Sequence, residues 1–134
     1  MTPPFLVIRP SKAFWVEIRS PHDATATVQA FADGCYSGTA WYDSTGGVWT
    51  VVEAHLKMRP SLLDRALQRR VAVELSFGPR AEGDVTDALT RIGDVLRSDN
   101  EFCDKLKTPV AQIWAQFERA RTTADLIALA SRLE

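Results

Sequence analysis

Histidine and cysteine are scarce in this chain, two of each, and Cys35, Tyr36, Glu53 and His55 come together in its pattern. Residues 36–43 and 48–56 are two strand-like runs around Ser44-Thr45-Gly46-Gly47, which reads as a hairpin. A four-residue loop sets Asp43 against Val48. One face of the ribbon then holds Thr39, Trp41, Val48, Thr50, Val52, Ala54 and Leu56 as the core side. The other face places Tyr42 beside Trp49, Ala40 beside Val51, Gly38 beside Glu53 and Tyr36 beside His55. A carboxylate and an imidazole two residues apart on one strand point the same way, and such a pair can exchange protons near neutral pH. Gly38 opposite Glu53 leaves room for a small ligand. The same face is equally the wet side of a half-buried sheet, where Glu and His belong without any chemistry.

A cysteine nucleophile needs a lowered pKa from a helix N-terminus or a neighbouring histidine. In this register Cys35 lies opposite Leu56, away from His55, so it reads as a small buried residue in a strand beside a turn. Cys103, in a short helix over 100–107, is placed no better. His22 and His55 occupy unrelated segments, and no HxxxH, HExxH or CxxC spacing gathers metal ligands. Gly46-Gly47 lacks the Lys-Ser or Lys-Thr that a phosphate loop requires. Neither a metal nor a cofactor is expected.

The elements that position these residues begin with strands at 5–9 and 13–19, then turn residues at 20–23. The segment 24–31 is open to two readings, its Thr and Val suiting a strand and its Ala and Gln a helix. After the hairpin come a short helix at 60–67, with Leu63 and Leu67 at helical spacing, and a strand at 70–77. Beyond Gly78-Pro79 the periodicity becomes helical. Val85, Ala88, Leu89, Ile92, Val95 and Leu96 form one apolar stripe behind an Asp84 cap. Ser98 with Glu101 begins a further short helix. Thr108-Pro109 opens another, with Val110, Ile113, Trp114 and Phe117 inward, and Thr122 with Asp125 opens the last. The chain reads as a single α+β domain over 1–134: an antiparallel sheet of about four to five strands followed by a block of helices.

The 134 residues are 46% apolar and 25% charged, the composition of a globular protein. No apolar run approaches the ~20 residues of a membrane span. The N-terminal residues lack the pattern of an export signal, and two cysteines make no disulfide framework, so a reduced, cytoplasmic protein is expected. Whether Cys35 and Cys103 ever pair is left open by their spacing. The net charge of −1 exerts little field as a whole, and no membrane partner is expected. Its distribution is uneven. Residues 81–104 hold seven acids against Arg91 and Arg97, a balance of −5. Asp94, Asp99, Glu101 and Asp104 carry the charge past the C-terminal end of the predicted helix, where its dipole disfavours anions. Such a patch can steer a basic protein partner, with Trp49 or Tyr42 as aromatic anchors. The basic residues from Lys57 to Arg80 are interrupted by Asp64 and Glu74, which argues against a nucleic-acid surface.

The hairpin "YSGTAWYDSTGGVWTVVEAHL" and the acidic helical stretch "DVTDALTRIGDVLRSDNEFCDKL", within one small α+β domain, give the chain a resemblance to the immunity proteins of bacterial contact-dependent growth inhibition and related toxin systems. That resemblance implies a cytoplasmic, non-enzymatic protein that binds one cognate toxin domain, often a nuclease, and blocks its active site. It assigns no individual residues. The alternative drawn from the residues is a small enzyme using Glu53 and His55, with Tyr36, on an exposed sheet face.

Overall fold

The computed structural model describes residues 1–98 and 100–133, without the side chain of Asn100. Strand β1 (Phe5–Arg9) is an unbroken apolar run, and Phe5, Leu6, Val7 and Ile8 are all fully buried. Such a strand must lie inside a sheet covered on both faces. It pairs antiparallel with β2 (Ala13–Glu17) on one side, Phe5 opposite Glu17, and with β4 (Ala40–Asp43) on the other, Phe5 opposite Asp43. The sheet continues through β5 (Gly47–Leu56) and β6 (Arg70–Phe77) to β3 (Thr25–Thr27), giving the order β2-β1-β4-β5-β6-β3. A two-residue strand β7 (Ala81–Glu82) pairs with the start of β5.

Alternation divides the sheet's side chains between two cores. Leu6, Ile8, Phe14, Ala40 and Tyr42 face a helical layer. That layer consists of α3 (Val85–Ser98), α5 (Val110–Phe117) and α6 (Thr123–Ser131), with the short α4 (Asn100–Asp104) beside α3. Phe5, Val7, Trp41, Val51 and Val73 face the other way, into the hollow of the curled sheet, where Ala24, Ala26 and Tyr36 meet them. A short helix α1 (Val28–Ala32) and the turns after it lie over this second core. The last helix, α2 (Leu62–Ala66), sits in the connection between β5 and β6.

The α+β class and the sheet-then-helices order match the sequence, while the described strands number seven rather than four to five. The additional ones, β3 and β7, are three and two residues long, too short to show a period. Segment 24–31 divides between the two readings: β3 ends at Thr27, whose hydroxyl then caps α1 by accepting from the Ala30 amide at 3.1 Å.

The hairpin is one residue tighter than its sequence suggests. Ala40 faces Thr50, Trp41 faces Trp49 and Tyr42 faces Val48, so every pair differs by one from the expected register. The Asp43 carboxylate closes the loop, its Oδ1 accepting from the Thr45 amide (3.0 Å), the Thr45 hydroxyl (2.6 Å) and the Gly47 amide (3.1 Å). The first strand also starts later. Gly34 and Gly38 adopt positive φ (74° and 68°), a conformation that favours glycine, and keep residues 33–39 in turns until Ala40. The stretch around Cys35 is therefore a turn, not a strand.

A bulge then inverts the phase of β5. Val51 pairs with Phe77 and Glu53 with Ser76, leaving Val52 as the extra residue, 63% exposed. Val51, Ala54 and Leu56 all reach the inner core, which turns Glu53 and His55 outward.

Burial resists ionisation of Asp43, but hydrogen bonds from the Thr45 hydroxyl and the Gly47 and Thr45 amides outweigh it and hold the carboxyl below its ordinary value. Asp43→Ala should cost about 2 kcal/mol in urea denaturation at pH 7. The native carboxyl titrates below the unfolded one, so its contribution is complete at neutral pH. It should fade below about pH 4, and the stabilities of wild type and Asp43→Asn should converge as acid protonates the native group.

Candidate functional site

Glu53 and His55 lie side by side on the outer face of β5, His55 Nε2 being 3.4 Å from Glu53 Oε2. Their side chains are 64% and 67% exposed for His55 and Glu53, so water competes for both partners and the pair contributes at most about 1 kcal/mol. Tyr36 is on the opposite side of the sheet, in the inner core, where its hydroxyl donates to the Thr25 carbonyl at 2.7 Å. The three residues are not brought together. Glu53 and His55 share the outer face as expected, and the turns at 33–39 took Tyr36 out of the ribbon.

Cys35 and Tyr36 instead line a cavity of about 180 Å³ between the edge strands β2 and β3, with Trp15, Glu17, Thr25 and Arg70. Arg70 closes it, donating from Nε to the Thr25 hydroxyl (2.8 Å) and from Nη2 to the Thr25 carbonyl (2.7 Å). Burial pushes the Cys35 thiol above its ordinary pKa despite the nearby Arg9 and Arg70, and burial likewise raises the Tyr36 phenol. Cys35 is thus a neutral thiol at pH 7, the wrong state for a nucleophile. Glu17 and Arg70 both line this cavity. They are 53 residues apart, and only the curl of the sheet makes them neighbours. A larger cavity of about 540 Å³, a volume suited to a small ligand, lies between Met1, His22, Lys57, Glu74 and Phe77. Lys57 there donates to the His22 carbonyl at 2.8 Å, which fixes the ammonium at its rim.

The two aromatic residues considered as anchors differ in fate. Tyr42 is fully buried and donates to Asp87 Oδ2 at 2.7 Å, so it ties α3 to the sheet and presents nothing to a partner. Burial, then this hydrogen bond to a carboxylate, pushes its phenol far above the ordinary value. Trp49 is half-buried beneath the Arg80 guanidinium, 5.8 Å from the ring centroid, and Arg80 also pairs with Glu82 at 2.9 Å. Trp49 adjoins the loop end of the sheet, next to the N-terminal approach to α3, where Gly83 donates to the Gly46 carbonyl.

Asp94, Glu101 and Asp104 are exposed around the other end of α3 and on α4, with Asp94 paired to Arg97 at 2.7 Å. By the rise of a helix, Asp94 is roughly 14 Å along α3 from its first turn, so Trp49 and the acids occupy separate surfaces. Asp99 lies outside the described residues. Asp84 and Asp87 serve the start of α3, Asp84 accepting from the Thr86 amide and Asp87 facing Arg91 at 3.4 Å.

Helix α2 holds the surface that sequence reasoning did not single out. Leu62, Leu63 and Leu67 are 84%, 59% and 60% exposed, and Met58 just before them is 80% exposed. The sequence shows Leu63 and Leu67 at helical spacing, which does not say whether that face is covered. Among the described residues, no group of three or more His, Cys, Asp or Glu comes together to hold a metal, and no helix is long and apolar enough to cross a membrane. No family model, curated protein or solved structure matches the chain.

Two outcomes check this placement. Cys35 should react slowly with iodoacetamide at pH 7, with a rate that climbs steeply above pH 9 and rises at once on unfolding in urea. His55→Ala, at an exposed pair, should change the unfolding free energy by no more than about 0.5 kcal/mol.

Proposed function

We propose that this protein is a non-enzymatic binding protein of the immunity or inhibitor type, which neutralises a cognate toxin domain by covering its basic active site. The observation that supports it is the exposed acidic surface where α3 gives way to α4, formed by Asp94, Glu101 and Asp104. Asp94 towards the end of α3 and Asp104 at the end of α4 oppose a helix dipole, while Glu101 in the first turn of α4 is favoured by one, so folding gives little reason for the first two. A positive cleft, such as that of a nuclease, is the complement of this surface, and opposite fields accelerate encounter. Asp99 would add to the same charge. Asp94 contributes less than its formal charge because Arg97 screens it. Action in the cytoplasm, where such a toxin would strike, belongs to the same proposal.

The test is capture of the tagged chain's partner from its own cells, followed by stopped-flow association with the purified partner. A single stoichiometric basic protein is the expected catch. The triple variant Asp94→Arg, Glu101→Arg, Asp104→Arg should associate at least about tenfold more slowly at low salt, with a smaller difference at high salt. Its thermal melt should stay close to wild type. Unchanged association of a folded triple variant would remove these acids from the interface.

A further inference from the structure

Helix α2 stands clear of both cores, and every residue from 61 to 70 except Asp64 is exposed. Positions 62, 63, 66 and 67 recur at one helical face, and Leu62, Leu63, Ala66 and Leu67 are all exposed there. Local hydrogen bonds hold this helical turn at both ends. Ser61 Oγ accepts from the Asp64 amide (3.1 Å) while Asp64 Oδ2 accepts from the Ser61 amide (2.9 Å), a complete capping box. Gln68, at φ 51°, turns the chain sharply, and the Arg69 amide donates to the Asp64 carbonyl at 3.0 Å. Around this face the segment 57–69 carries Lys57, Arg59, Arg65 and Arg69 against Asp64 alone, a local charge of +3 in a chain whose net charge is −1.

We propose that this segment docks peripherally on an anionic lipid surface, with Leu62, Leu63, Leu67 and Met58 entering the boundary between headgroups and acyl chains while the arginines meet lipid phosphates. Apolar side chains beside a polybasic rim suit that interface, and each cation near it adds attraction to an anionic leaflet. The side chains are flexible aliphatics on a convex single turn, which a fluid bilayer accepts without a matching shape. Leucine is under-represented among the residues that dominate protein–protein binding. Four such side chains offer on the order of a few hundred Å², short of the ~800 Å² per partner of a stable protein interface. Pairing of two copies through α2 would oppose one +3 surface with another. The location also fits: α2 packs against α1 on the curled side of the sheet, and the acids of α3 and α4 lie beyond the helical layer on its other side. The low net charge that argued against a membrane partner conceals this polarity. The proposal stands independently of the toxin-binding one.

Flotation of the full chain with vesicles tests it, using phosphatidylcholine alone or with about a third phosphatidylglycerol. Binding should be at least about tenfold stronger to the anionic vesicles and should fall as salt rises. Leu62→Ser with Leu63→Ser should reduce it about tenfold or more, and Arg65→Gln or Arg69→Gln about fivefold each. These side chains are exposed, so far-ultraviolet circular dichroism should be unchanged. Equal binding to both vesicle types, no binding to either, or binding indifferent to the leucine variants would overturn it. So would light scattering that shows a dimer abolished by Leu62→Ser and Leu63→Ser, which would assign the face to a second copy.

Discussion

Trp41 and Tyr42 are adjacent residues on a four-residue strand, they point to opposite faces, and neither has more than 1% of its surface exposed. Two of the largest side chains in the chain therefore have to be covered from two directions at once. On one side the indole meets Phe5 and Phe77 edge-on, with centroids 5.4 and 5.6 Å away, and its Nε1 donates to the Thr39 hydroxyl. That hydroxyl donates in turn to the Tyr36 carbonyl, which locks the turns at 33–39 over the hollow of the sheet. On the other side Tyr42 holds α3 through Asp87, and the Thr123 hydroxyl at the start of α6 donates to the Asp43 carbonyl. The curl and the helical layer are both fastened to the same strand.

The helical half of this arrangement was legible because helices announce themselves over several turns. The stripe from Val85 to Leu96 spans enough residues for its period to be unmistakable, and Ala88, Ile92, Val95 and Leu96 are buried as it requires. The Thr122–Asp125 pair likewise forms a complete capping box. The sheet was harder to read because its errors come in units of one residue. Shortening the loop at Asp43 moved every hairpin pair and put Val51 rather than Val52 in the core, and the extra residue Val52 then returned Glu53 and His55 to the outer face expected of them. Neither event leaves a mark in composition: Val52 belongs to the type of residue that a regular strand would hold in the same place. The exposure of Asp94, Glu101 and Asp104 could be read from charge and helix position alone. The proposed trio of Tyr36, Glu53 and His55 loses Tyr36, because the strand that was to carry it begins only at Ala40.

The sheet also acts as a partition. Cys35 packs with the inner core and Cys103 with the helical one, so the two sulfurs have the sheet between them and cannot form a bond within one folded chain. The groups whose pKa burial raises follow the same division. Cys35 and Tyr36 are raised by burial in the hollow, and Tyr42 is raised beneath the helices, while the exposed groups that could meet a partner stand on the outside. Chemistry that demands a dry, tuned residue and recognition that demands an open one are assigned to different parts of the molecule.

The connection between β5 and β6 has a consequence of its own. The two strands are antiparallel neighbours, with Leu56 opposite Val73, and a turn of a few residues would suffice to join them. The chain instead makes an excursion that includes α2 and returns, and the closure entropy of such a detour grows only slowly with its length. Few of its side chains are shared with either core, so its residues can be exchanged, lengthened or trimmed while strand pairing on both sides persists. In a lineage of such proteins this excursion is the place where contacts can diversify fastest, because the cost to the scaffold of each change is smallest there.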